Sequence, residues 1–199
     1  KKLQKKYPII IINMSRRFGG APCVIAGMRY SNSKFVAYMD SDLQDPPELL
    51  PKLLAHAKKN KIDIVHTQRV ARKGENFLKM WLTKIAYKII NTFSEIALPI
   101  NVGDFKLISH TAVNEIIKLN DFDPYMRGLS IWVGFKQDII TYTRDERFAG
   151  STKYSMFQLG PYKEFIRGLI SFSAAPLYIS LVFGLISFFI SFGLIFWAI

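Results

Sequence analysis

Short apolar runs alternate with amphipathic segments over the first two thirds of the chain, a pattern that predicts alternating strands and helices. The apolar runs are continuous, as in strands buried on both faces, so we expect an α/β domain with a doubly wound, mostly parallel sheet. The predicted strands are residues 7–13, 35–40, 62–69, 131–135 and 139–144, and residues 102–108 are expected to form a short strand or a turn. The predicted helices are residues 21–30, 47–60, 77–96 and 111–119. Core packing and partial membrane contact both remain open for the amphipathic segment 77–96.

The last part of the chain has a different pattern. Residues 155–170 place apolar side chains at helical spacing with Lys163 and Arg167 between them, as in an interfacial helix at a membrane surface. Residues 177–199 are 23 residues without charge, enough for a transmembrane helix. Lys163 and Arg167 lie before this span and predict a cytoplasmic catalytic part. We therefore divide the chain into a catalytic domain (1–152), a juxtamembrane helix (153–172) and a transmembrane helix (173–199).

The charge balance narrows the choice of partners. The 199 residues carry a formal net charge of +12, which suits nucleic acid, anionic lipid or phosphorylated substrates. A nucleic-acid interface would interleave basic and aromatic residues on one face, and the sequence shows no such face, so we expect no nucleic acid partner. Cys23 is the single cysteine, which excludes an intrachain disulfide framework and cysteine-rich zinc spacing.

The stretch from Asp40 to Glu48 carries the clearest chemistry. It follows the predicted strand 35–40, and strand alternation would point Asp40, Asp42 and Gln44 to the same face. Oxygen ligands of this kind suit a hard divalent cation, Mg²⁺ or Mn²⁺. The alternative is a plain polar turn between strand and helix, to which Asp45 would also belong.

Several motifs together resemble family 2 glycosyltransferases that act on polyprenyl phosphates, such as bactoprenol glucosyltransferases and dolichol-phosphate mannose synthases. These motifs are residues 40–48, 103–108, 126–129 with 132–135, and 148–154. The resemblance implies a GT-A-type fold whose first two strands would precede Lys1. The chain also lacks an initiator Met and ends within or just at the end of the apolar span, so we expect truncation at both ends.

The resemblance also implies an activity: inverting transfer of a sugar from a nucleotide-sugar donor to a polyprenyl phosphate. Glucose from UDP-glucose and undecaprenyl phosphate are the expected pair, with Mg²⁺ or Mn²⁺ as cofactor, at the cytoplasmic face of the inner membrane. One alternative is a dolichol- or polyprenyl-phosphate mannose synthase using GDP-mannose. Another is an inactive truncated membrane homologue. The sequence leaves the oligomeric state open, a homo-oligomer included.

Site residues follow from the same resemblance. Asp104 matches the family's proposed catalytic aspartate, expected to orient the acceptor or take a residual proton, with a capping carboxylate beside Gly103 as the alternative. Two anionic substrates must meet, so cations are needed to offset their repulsion. The phosphate- and acceptor-binding candidates are Arg69, Lys106, Arg144, Arg147, Ser151 and Lys153. Lys106 stands where the family usually has Arg, and surface charge is the alternative for all the cations.

Overall fold

The computed structural model describes residues 8–42, 44–70, 77–100, 102–143 and 159–198. The chain forms two compact units, one from residues 1–72 with 101–150 and the other from residues 73–100 with 151–199. In chain order the elements are α1 (Gly20–Arg29), β1 (Phe35–Tyr38), a 3-10 turn (Pro47–Leu49), α2 (Leu50–Asn60), β2 (Ile64–Arg69), α3 (Phe77–Phe93), β3 (Val102–Ser109), α4 (His110–Lys118), α5 (Met126–Trp132), β4 (Gln137–Tyr142), α6 (Leu159–Ser171) and α7 (Ala175–Ala198).

The first unit is built on a four-stranded mixed sheet with strand order β1-β3-β2-β4. β2 and β4 pair in parallel, while β3 runs antiparallel to both β1 and β2. Three of the four strands therefore share one direction. The predicted α/β class is confirmed, but the insertion of β3 between β1 and β2 makes two of the three pairings antiparallel, which the sequence pattern did not predict.

Two predicted strands are wrong. Residues 8–14 form no strand, and Ile10 and Ile11 are 69% and 55% exposed. A strand needs a neighbour to satisfy its backbone groups, and none of the four strands pairs with this segment. Residues 131–135 also differ, because helix α5 continues to Trp132 and positive φ angles at Gly134 and Phe135 then turn the chain into β4.

The sheet packs against helices on both faces. On one face, Leu53 and Ala57 of α2 join Val65, Phe105 and Leu107 in a buried apolar cluster. Neighbouring strand residues point to opposite faces, so Lys106 and Ile108 lie on the other side, which α4 and α5 cover. Helix α4 begins with a side-chain cap, since the Ser109 hydroxyl accepts from the Ala112 amide at 3.3 Å.

The second unit consists of α3, α6 and α7. Helix α3 packs against α6, and the Glu95 amide donates to the Phe172 carbonyl at 3.1 Å. Helix α7 has 24 residues, a mean hydropathy of 2.5 and no buried residues. At about 1.5 Å per residue it is ~36 Å long, more than the ~30 Å of a bilayer core. The structure thus confirms a C-terminal helix that is long and apolar enough to cross a membrane.

Candidate active site

One edge of the sheet gathers most of the predicted site residues. β1, β2 and β4 end at this edge, and the antiparallel β3 begins there. The turn after β1 carries Asp40 and Asp42, Arg69 closes β2, and Asp104 is near the start of β3. Open α/β sheets bind ligands at this edge, beyond the carboxyl ends of their strands. The predicted Arg144, Arg147, Ser151 and Lys153 lie outside the described residues.

The Gly103-Asp104 motif lies in a bulge of β3. His66 of β2 pairs with Lys106 and Gln68 pairs with Val102, so the β3 residues 103–105 all face Thr67. The Thr67 hydroxyl donates to the Phe105 carbonyl at 2.6 Å and so satisfies a backbone acceptor where the ladder is interrupted. Bulges of this kind re-aim side chains and are common beside active sites.

Asp104 forms a two-pronged ion pair with Arg127 of α5. The Arg127 Nε donates to Oδ1 at 3.2 Å and Nη2 donates to Oδ2 at 2.7 Å. Burial by itself would raise the pKa of Asp104, but the charge and hydrogen bonds of Arg127 outweigh it, with help from Lys106 and Arg69, and the pKa falls below its ordinary 3.8. Both side chains keep about a third of their surface exposed, 33% for Arg127 and 34% for Asp104. The result is an ionised carboxylate of fixed orientation that solvent and ligands can reach.

Lys106 lies two residues further along β3 and is fully buried. Its Nζ donates to the Ser130 hydroxyl at 2.8 Å, and that hydroxyl donates to the Arg127 carbonyl at 3.1 Å. Burial lowers the pKa of Lys106 from 10.5 to about 7, with Asp104 opposing the shift and Arg127 adding to it. Lys106 therefore contacts α5, the helix that carries Arg127, inside the protein and does not face solvent.

His66 pairs with Lys106 across the sheet and is 2% exposed. Its Nε2 lies 2.8 Å from the Gln137 Oε1, and the Gln137 amide nitrogen donates to the Ile131 and Gly134 carbonyls. The Gln137 oxygen must then accept, which assigns the His66 proton to Nε2. Burial and, next, the Lys106 charge lower the pKa of His66 to about 4, so the ring is neutral at neutral pH.

Tyr38, the last residue of β1, lies beside β3 in the sheet. It pairs with Lys106, whose Nζ lies 5.8 Å from the centre of its ring. Burial raises the pKa of the Tyr38 hydroxyl well above 10, and the carboxylates of Asp104 and Asp40 add to the effect against Arg127. Asp40 and Asp104 are therefore both within electrostatic range of the same hydroxyl.

The turn after β1 differs from the predicted strand extension. β1 ends at Tyr38, so the expectation that strand alternation aligns Asp40, Asp42 and Gln44 is wrong in its geometry. Instead, the Asp42 carboxylate accepts a hydrogen bond from the backbone N–H of Gln44 at 3.2 Å, which forms a local turn. Asp40 is exposed and Asp42 half-buried, while Gln44 is only 6% exposed.

Two carboxylates of this turn, those of Asp40 and Asp42, could contribute to a site for a hard cation. Asp40 and Asp42 supply carboxylate oxygens, and Mg²⁺ is commonly held by one or two carboxylates together with substrate phosphates. Within the described ranges, no group of three or more His, Cys, Asp and Glu side chains could hold a metal by itself.

Sequence reasoning did not name four residues of this arrangement as site residues: Tyr38, His66, Arg127 and Ser130. Arg127 lay in a motif without an assigned role, and the pairing with Asp104 spans 23 residues of sequence. No spacing rule predicts such a contact. The one available signal was the lone basic residue in the otherwise uncharged segment 126–135.

Comparisons with known proteins agree on one family. Residues 1–117 match glycosyl transferase family 2. An uncharacterized glycosyltransferase of Bacillus subtilis (strain 168), YkcC, is 38% identical over 167 residues, 84% of this chain and 51% of the relative. A second, sll0501 of Synechocystis sp., is 38% identical over 174 residues, 87% of this chain and 54% of the relative. The prophage bactoprenol glucosyl transferase homolog of Escherichia coli (strain K12) is 34% identical over 180 residues, 90% of this chain and 58% of the relative. The chain thus spans between half and three fifths of the length of these curated relatives.

Proposed function

Because this chain belongs to glycosyltransferase family 2, we propose that the protein transfers a sugar from a nucleotide sugar to a polyprenyl phosphate. Glucose from UDP-glucose and undecaprenyl phosphate are the proposed pair, at the cytoplasmic face of the inner membrane. The observation that carries the proposal is the partly exposed Asp104–Arg127 pair at the sheet edge where Asp40 and Asp42 also lie. The bactoprenol glucosyl transferases among the relatives support the lipid acceptor and the glucose.

On the donor side, the leaving group is a nucleoside diphosphate whose negative charge grows as the glycosidic bond breaks. Asp40 and Asp42 would hold Mg²⁺ or Mn²⁺, which when bound supplies Lewis-acid stabilisation of that charge. Gln44, also proposed as a ligand from the sequence, is buried in the turn beside them. Arg69, at the end of β2, adds positive charge at the same edge.

On the acceptor side, the nucleophile is a phosphate oxygen. A phosphate monoester has a second pKa of about 6 and is already largely anionic near neutral pH. Asp104 has a lowered pKa and is therefore a weak base. We assign it the role of orienting the polyprenyl phosphate, and not that of removing a proton. Attack in line with the departing diphosphate inverts the anomeric centre.

The acceptor's own charge must be offset. Arg127 is a third exposed beside Asp104 and is the described cation best placed to contact an entering phosphate. Lys106 is buried, so its proposed part is to hold the ion pair through Ser130. Arg144, Arg147, Ser151 and Lys153 remain predicted phosphate ligands. Helix α7, in the same chain, would keep the transferase at the membrane that holds the lipid.

The test is transfer of labelled sugar in membranes that contain the full-length protein. We expect undecaprenyl phosphate, Mn²⁺ and labelled UDP-glucose to yield a labelled lipid, and chelation of the metal to abolish it. A parallel reaction with GDP-mannose tests the mannose alternative. Absence of labelled lipid with every nucleotide sugar in a panel would contradict the proposal and favour an inactive homologue.

A substitution of Asp42 tests the proposed cation site. Asp42→Asn preserves the size of the side chain and removes its charge, so it should lower transfer by about 100-fold or more if the carboxylate holds the cation. Asp121→Asn, on the exposed loop between α4 and α5, makes the same change at a residue with no proposed role and is the control. Full activity of Asp42→Asn would remove Asp42 from the cation site.

A further inference from the structure

Tyr142, the last residue of β4, contacts three segments of the candidate active site. It is 7% exposed, and its ring packs edge-on against Phe105 in the β3 bulge, with ring centres 6.0 Å apart. Phe105 follows Asp104 directly. The packing of one aromatic pair therefore links the end of β4 to the strand that carries the ion pair.

The hydroxyl of Tyr142 extends this link to the turn after β1. It donates to the Asp45 Oδ1 at 2.5 Å, and Asp45 is fully buried. Asp45 lies three residues after Asp42 along the chain. Both groups are buried, so water does not compete for this hydrogen bond, and it fixes Asp45 against the sheet.

The same hydroxyl accepts from the Arg69 Nε at 3.3 Å. The Arg69 guanidinium lies against Gly103, where an added Cβ would come within 2.8 Å of Nη2. The Arg69 charge is one of those that lower the pKa of Asp104. Tyr142 thus touches the guanidinium that lies over the bulge.

We propose that Tyr142 is a positioning residue whose hydroxyl holds both Asp45, three residues after Asp42, and Arg69 in fixed places relative to Asp104. This inference rests on the proposed function in treating the turn as the place where the donor's cation binds. Tyr142 itself does not enter the chemistry. Its part is to keep Asp45 and Arg69 in fixed places relative to the bulge, through one hydroxyl that is buried away from water.

Amide hydrogen exchange on the full-length protein in detergent measures this coupling without any substrate. Tyr142→Phe keeps the ring against Phe105 and removes both hydrogen bonds of the hydroxyl. Hydrogen bonds to charged groups are strong enough that the peptide covering 40–45 should exchange about ten-fold to a hundred-fold faster. Tyr30→Phe removes a hydroxyl from a 63% exposed tyrosine at the end of α1 and should leave that peptide unchanged.

A double-mutant cycle assigns the effect to the Asp45 bond. Asp45→Ala removes the acceptor, and Asp45→Asn keeps an oxygen that the hydroxyl can still use. We expect Asp45→Ala combined with Tyr142→Phe to speed exchange no more than the worse single change, and Asp45→Asn to behave closer to the wild type. Fully additive effects would overturn the assignment.

Activity provides a second readout. With the labelled-lipid reaction, Tyr142→Phe should raise the Mn²⁺ concentration for half-maximal rate by about ten-fold, with a smaller change in kcat. Two results overturn the inference: exchange in the 40–45 peptide equal to that of the Tyr30→Phe control, or exchange that rises equally in α2 and in the turn, which marks a general loss of stability. If the wild type transfers no sugar, the proposed function fails, while the exchange result still decides the role of Tyr142.

Discussion

At the scale of single residues, the site sets its charges by burial and pairing. Asp104 is ionised because Arg127 outweighs the desolvation of its carboxylate, whereas Lys106 and His66 have pKa values lowered by burial. The sequence identified Asp104 and Lys106 by motif, but it could not separate the exposed group from the buried one. That distinction depends on the packing of α5, which buries Lys106 against Ser130 and leaves Asp104 beside Arg127 about a third exposed.

His66 makes the stability of the fold depend on pH in the acid range. An unfolded chain binds a proton at the ordinary histidine pKa of 6.5, whereas the folded chain does so only at about 4. The unfolded state therefore holds more protons between these values, and stability falls as the pH drops from 6.5 towards 4. His66→Gln removes this titration, so the thermal midpoint of the variant should fall less than that of the wild type over the same range. If the thermal midpoints of the two proteins fell equally between pH 6.5 and 4, the claim that His66 is buried and neutral would be refuted.

At the scale of elements, the pattern of apolar positions predicted most helices and strands because packing against one core imposes their periodicity. The pattern failed for elements whose structure depends on contacts between residues distant in sequence. Residues 126–132 form α5, whose buried residues Met126, Leu129 and Ser130 follow helical spacing over too few turns to be distinguished from a strand. The antiparallel insertion of β3 and its bulge also leave no local pattern, because they depend on pairing with β1 and β2.

The bulge makes Gly103 a sensitive position. In Gly103→Ala the new Cβ would meet the Arg69 guanidinium, which Tyr142 holds, so the guanidinium must move away from Asp104. Small displacements of positioning groups can cost ~100-fold in rate, so we expect sugar transfer to fall at least ten-fold, with a stability loss of about 1–3 kcal/mol at most. Gly20→Ala at the start of α1, where no atom lies within 4 Å of the new Cβ, is the matched control. Wild-type transfer by Gly103→Ala would show that Arg69 has no part in the reaction.

At the scale of the whole molecule, the chain divides into two units that differ in composition. The sheet unit carries the candidate active site, and the helical unit carries α3, α6 and the 24-residue apolar α7. Exposed side chains on α3 include Trp81 and Phe93, 52% and 51% exposed, which keeps membrane contact open for that helix. The sequence predicted α7 well, because an uncharged run of this length is a property of composition alone.

The most direct measurement is the rate of sugar transfer to undecaprenyl phosphate by Asp104→Asn in membranes with the full-length protein. The variant keeps the size of the side chain but removes the charge that Arg127 and Lys106 surround. Asp138→Asn makes the same change on an exposed residue at the start of β4, where the sheet carries no proposed site residue, and is the control. Because Asp104 orients the acceptor, we predict that Asp104→Asn lowers kcat by about 100-fold, while Asp138→Asn stays within about two-fold of the wild type. Equal rates for Asp104→Asn and Asp138→Asn would contradict the central role of the Asp104–Arg127 pair.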